Sequence, residues 1–148
     1  MLFLDIVTIL CIAPLVGVEF AVSAFVNPIL WQLDAGPRTQ ATGLFARKLG
    51  TAMPFWYGAA FVLLVAETVT RRQQAGFLFL VVAAVLWAGA IAISILFLVP
   101  INNRVAVADA SAPHDSSLRE HRKWDTLHRF RIGILVVAMI SFLAALRF

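Results

Sequence analysis

Four apolar stretches, Ile6–Leu33, Met53–Val69, Ala75–Val99 and Ile132–Leu146, leave this chain few ways to fold. A helix rises about 1.5 Å per residue, so about 20 apolar residues cross a hydrocarbon core roughly 30 Å thick. The first and third stretches exceed that length and the second is near the minimum. The fourth is too short alone, and a crossing of about 20 residues counted back from Leu146 begins at Leu127, inside charged sequence. Within hydrocarbon each backbone N–H and C=O must be paired inside its own segment, which favours helices. The expected fold is all-α: a single-domain integral membrane four-helix transmembrane bundle with spans near 6–33, 53–69, 75–99 and 127–146. A polar third loop leads into an extended fourth helix. The composition agrees, with 61% hydrophobic residues and a mean hydropathy of +0.90 in 148 residues.

The formal charge of +4 does not point to nucleic acid. The basic residues sit in the gaps between apolar runs, without the aromatic-studded or glycine-rich basic tracts of nucleic-acid binders. They read as a topology signal. Arg38, Arg47, Lys48, Arg104, Arg119, Arg122, Lys123, Arg129 and Arg131 fall on the side of the first and third loops, against Arg71, Arg72 and Arg147 opposite. The positive-inside rule places loops 1 and 3 in the cytoplasm and both termini outside, although Arg71-Arg72 in a tight turn pulls the other way. The single Cys11 excludes an intramolecular disulfide, and Met1–Asp5 lacks the positive n-region of a cleavable signal.

Local signals set the expected boundaries. Pro14 kinks the first span, Asn27-Pro28 makes a second irregularity, and Asp34–Arg38 breaks the helix. Thr39–Gly50 reads as a polar connection whose Leu44, Phe45 and Leu49 form a short amphipathic turn on the membrane. Pro54 suits the first turn of the second span, and Pro100 ends the third. Ser117-Leu118-Arg119-Glu120 reads as a capping box that starts the last helix near Leu118, after a flexible Ala106–Ser116.

Polar chemistry concentrates in Val99–Arg131, which holds His114, His121 and His128. At 100° per residue, His121, Trp124, Asp125, His128, Arg131, Ile132 and Leu135 share a face that continues into the bundle. Arg122, Thr126 and Arg129 face solvent or headgroups. His121, His128, Asp125 and Glu19 make a candidate set for copper, iron or zinc; a cofactor-free site is equally open. The plainer reading of His121 and Asp125 is an ion pair at the headgroups. Because the first and third helices run parallel, Asn27, Trp31, Asn102 and Asn103 come level with His128, though these asparagines also suit helix termini. Glu19 lies deep in the first span, where an ionisable group marks a functional candidate. Trp56, Tyr57 and Trp87 read as belt or packing residues, and Cys11 as core or lipid-facing.

Phe25-Val26-Asn27-Pro28, Val99-Pro100-Ile101-Asn102-Asn103 and the spacing Trp124, His128, Arg131 together resemble the anthrone oxygenase-like family of small four-span membrane proteins. The resemblance covers essentially the whole chain. It implies a membrane oxygenase or oxidoreductase acting on a hydrophobic aromatic or quinol-type molecule that arrives through the bilayer. It also implies a site of Asn27, Asn102, Trp124, His128 and Arg131, with His128 as base, Asn102 and Arg131 stabilising an anion and Trp124 packing on the rings. Two rivals stand beside it: a proton-coupled exporter using Glu19, and a non-catalytic scaffold subunit. A homo-oligomer is compatible with each reading.

Overall fold

The structure, a computed structural model, describes residues 1–107 and 114–147, without the side chains of 105–107, 114–118, 120 and 121. Among the described residues the regular elements are all helical. Four helices are long and apolar enough to cross a membrane: Leu2–Gln32, Ala35–Thr70, Phe77–Arg104 and Arg122–Ala145, here the first to the fourth. The third continues to Val107 and the fourth begins at His114.

Apolar residues cover both the inside and the outside of such a bundle, so burial cannot separate the helix faces by polarity alone. Size does part of the work. Ala60, Ala83, Ala90 and Ala138 are fully buried and let the backbones approach, with Leu15, Leu64, Leu80, Leu135 and Phe142 between them. Trp87 is buried in this core and donates its Nε1–H to the Tyr57 carbonyl at 3.1 Å. Phe55, Val62, Leu78, Val85 and Ile140 point outward, as side chains bathed in hydrocarbon should.

Several expected boundaries move. Thr39–Gly50 is not a separate connection: the second helix runs unbroken for 36 residues from Ala35, after an extended Leu33-Asp34. No residue from Arg38 to Met53 forbids a helix, and Pro37 sits in the first turn, where its missing N–H costs nothing. At roughly 54 Å this helix exceeds the hydrocarbon thickness, so it tilts or projects. Pro54 consequently lies inside it and not in its first turn. The fourth helix begins at His114, a turn before the expected start near Leu118.

Pro100 does not end the third helix. Val22–Val26 and Ser94–Leu98 are π-helical turns, and each closes two residues before a proline, Pro28 and Pro100. A proline ring collides with the carbonyl four residues back and offers that carbonyl no N–H. A widened turn there relieves the conflict and lets the helix continue. The irregularity expected at Asn27-Pro28 is this turn.

At the terminal end the first and second helices are tied by charge. Arg71 pairs with Asp5 and, through Nε, donates to Glu67 Oε2 at 3.1 Å. Thr8 donates to the other oxygen of Glu67 at 3.3 Å, with Thr8 and Glu67 fully buried. Arg71, read from sequence as a free topological charge, is thus an internal one. Beside it Gly76 opens the third helix against the end of the fourth. A Cβ at Gly76 would lie 2.6 Å from the Ala145 carbonyl oxygen, whereas one at Gly89 meets nothing within 4 Å. Gly76→Ala should therefore lower thermal stability by about 1–3 kcal/mol, since backbone must shift, while Gly89→Ala should not. Thermal unfolding of both variants in one detergent checks this, and equal midpoints would contradict it.

Candidate active site within the bundle

The first helix supplies Glu19, which is 4% exposed and lies about one turn before the first π turn. The fourth supplies His128 and Arg131, one turn apart and 1% and 7% exposed. Arg131 Nη2 donates to Glu19 Oε2 at 2.6 Å and contacts His128 Nδ1 at 3.0 Å, while Nη1 donates to Ser94 Oγ at 2.8 Å. Tyr57 of the second helix donates its hydroxyl to Glu19 Oε1 at 2.8 Å, and its ring lies 5.2 Å under the Arg131 guanidinium. All four helices therefore meet on one ion pair.

The partners fix the histidine tautomer. His128 Nε2 lies 3.2 Å from the Glu19 backbone oxygen, a group that only accepts, so Nε2 carries the proton. Nδ1 then offers its lone pair to Arg131, 3.3 Å from Glu19 Oε2. Trp124 stacks on the imidazole, with ring centroids 4.4 Å apart and planes inclined by 17°. Arg131 Nε is buried and has no hydrogen-bond partner among the described residues.

These groups line a cavity of about 230 Å³. Asn27, Asn102, Trp124, His128 and Arg131, the residues singled out by motif, all lie on its wall, joined by Glu19, Tyr57 and Ser94. The remainder is mainly apolar: Val22, Leu30, Phe45, Leu49, Met53 and Leu98 among others. Asn27 also donates to Asp125 Oδ1 at 2.8 Å, and Asp125, which is not part of the cavity wall, pairs with Arg129 at 2.9 Å. Trp31 lies between Arg38 and Arg122 outside the cavity, and Asn103 is exposed.

The three candidate metal ligands whose side chains are described do not gather. Glu19 and His128 touch, but Asp125 belongs to the Asn27–Arg129 pairing and the side chain of His121 lies outside the described residues. Among the described residues no three His, Cys, Asp or Glu side chains cluster in a way that holds a metal. Both oxygens of Glu19 and both ring nitrogens of His128 already have protein partners. Tyr57 and Ser94 were missed from sequence: in an apolar run a tyrosine reads as packing and a serine as nothing, and only their distance to Glu19 and Arg131 reveals them.

The pair makes a direct prediction. Arg131→Gln or Glu19→Gln each leaves its partner charged and buried, at a cost of about 3–5 kcal/mol, and the double variant should recover part of that loss. Thermal unfolding of the cycle measures it. Additive losses would mean that the two side chains do not act as a pair.

The family model described as anthrone oxygenase matches residues 41–141. No curated protein and no solved structure matches.

Proposed function

The chain belongs to the anthrone oxygenase family, and from that premise we propose that its cavity oxidises a hydrophobic phenol or quinol of anthrone type with molecular oxygen. The observation that carries the reading is the Glu19–Arg131 pair at the inner wall of a mainly apolar cavity. The Tyr57 hydroxyl donates to Glu19 Oε1 and so holds this carboxylate beside Arg131.

The resemblance assigned the base to His128. The geometry favours Glu19, because a proton on His128 Nδ1 would face the Arg131 guanidinium 3.0 Å away. Glu19 takes a proton from the ring methylene and becomes neutral. Arg131 loses its carboxylate partner and gains the substrate's anionic oxygen, so one ion pair is exchanged for another with no net charge created. The delocalised anion passes one electron to dioxygen, and the resulting radical and superoxide combine into a C–O bond. Glu19 returns its proton to the peroxide. Removal of the second C–H with loss of water leaves the quinone carbonyl. One dioxygen is consumed and one water released per substrate. His128 positions Arg131 and the Glu19 backbone, and Trp124 holds the imidazole flat by stacking. No step runs through a metal, since the described donor atoms are already engaged.

Purified protein in lipid should consume oxygen with an anthrone and yield the quinone. Glu19→Gln and Arg131→Gln should lower kcat by about 100-fold or more, and Tyr57→Phe by about tenfold or less. An oxygen electrode with absorbance of the product reads both. Wild-type turnover in a folded Glu19→Gln variant would overturn the assignment.

Orientation belongs to the same proposal. With Arg71 neutralised by Asp5 and Glu67, the free positive charge on the terminal side falls to Arg72 and Arg147, which supports cytoplasmic first and third loops. A C-terminal alkaline phosphatase fusion expressed in a bacterium should then be active, and an inactive fusion contradicts the orientation.

A further inference from the structure

Resting on the oxygenase reading, we propose that the cavity opens sideways into the hydrocarbon of the bilayer, between the second helix at Gly50–Pro54 and the π turn Ser94–Leu98. Its ligand is a membrane-dissolved phenol or hydroquinone carrying an apolar chain, which enters hydroxyl first.

The walls of the cavity differ. Glu19, Val22, Asn27 and Leu30 of the first helix and His128 and Arg131 of the fourth are buried, so these two helices close the back. On the opposite side Phe45 is 42% exposed, Ile95 61% and Val99 40%, and all three line the cavity. Gly50 and Pro54 are likewise both lining and exposed. A residue that belongs to the wall and to the outer surface marks the mouth.

The backbone explains why a gap stands there. The second helix packs on the third at Phe77–Ile93 and again at Val99–Val107, and draws away between them, at the π turn. Gly50, Pro54 and Gly58 follow one another at four-residue steps on the facing stripe, and a Cβ at Gly50 or Gly58 would meet nothing within 4 Å. Phe55, Leu96 and Phe97, which follow Pro54 and Ile95 in the chain, are all exposed and apolar, as a surface facing lipid requires.

The interior selects the head of the ligand. Arg131 is nine-tenths buried, lines the cavity and keeps an unpartnered Nε–H, a donor waiting for an oxygen. A buried donor without a partner costs free energy that a ligand oxygen recovers. The wall along the second helix, from Thr42 to Gly58, extends about 24 Å, leaving length for an apolar chain beside the ring.

Two measurements test this in phosphatidylcholine vesicles. On a Cys11→Ala background, nitroxide labels at Gly50→Cys and Ile95→Cys should collide with oxygen several-fold more often than with a water-soluble nickel complex. Collisions dominated by nickel at both positions would put the mouth in water and overturn the proposal. This readout needs neither turnover nor an intact ligand site. Second, Gly50→Trp should weaken binding of a decyl-chain hydroquinone by about tenfold or more. Gly17→Trp, on an exposed face away from the cavity, should leave binding unchanged. Binding in Gly50→Trp equal to wild type overturns the portal. The oxygenase reading fails separately: hydroquinone binding that Gly50→Trp blocks, with no oxygen consumed by the wild type supplied with an anthrone, supports the portal and removes the oxygenase.

Discussion

The ion pair between Arg131 and Glu19 is the constraint on which the upper half of this bundle depends. A lone charge at this depth costs several kcal/mol, so neither residue is tolerable without the other. Held together they join the first helix to the fourth, and their remaining hydrogen-bonding capacity draws in Tyr57 from the second and Ser94 from the third. In hydrocarbon the helices gain little by hiding apolar faces from a solvent that is itself apolar. Polar bonds of this kind therefore decide register. The Asp5–Glu67–Arg71 cluster does the same for the terminal half, with Thr8 completing Glu67.

Between the two clamps the core is close-packed, and above it the helices part. The parting has a local cause. The prolines at 28 and 100 force a wide turn in the first and third helices, and these turns stand beside Glu19 and Ser94. The same turn that accommodates Pro100 holds Ser94 toward Arg131 and keeps the second helix at a distance. Proline placement, cavity formation and site geometry are thus one structural event seen at three scales.

Much of this was legible in the sequence, for physical reasons that also mark its limits. Hydrophobic run length gave four helices because the bilayer sets a length scale. The wheel over the fourth helix separated buried His128, Arg131, Ile132 and Leu135 from exposed Arg122, Thr126 and Arg129, because one helix has one period. Glu19 stood out by depth and Arg131 by its inward face, yet their meeting did not, since the two residues are 112 positions apart on different helices. Thr39–Gly50 looked like a loop because polarity was taken for irregularity, when nothing in it breaks a helix. Arg71 looked topological because Asp5, its partner across the bundle, lies on the first helix, although Glu67 stands only one turn before it on the same helix. Pairing across helices has no one-dimensional signature.

Charge conservation narrows the ligand further. With Glu19 and Arg131 of opposite charge and His128 holding a single ring proton, the site is neutral before anything binds. A ligand that arrived as an anion would leave a net negative charge in a low-dielectric space, and one that arrived as a cation would face the guanidinium. A neutral weak acid does neither, because its proton and its charge both stay inside when Glu19 takes the one and Arg131 the other. A path through hydrocarbon imposes the same selection independently, since it admits neutral molecules and rejects ions. The proposed entrance and the proposed chemistry therefore ask for one class of molecule, an uncharged aromatic acid with an apolar body.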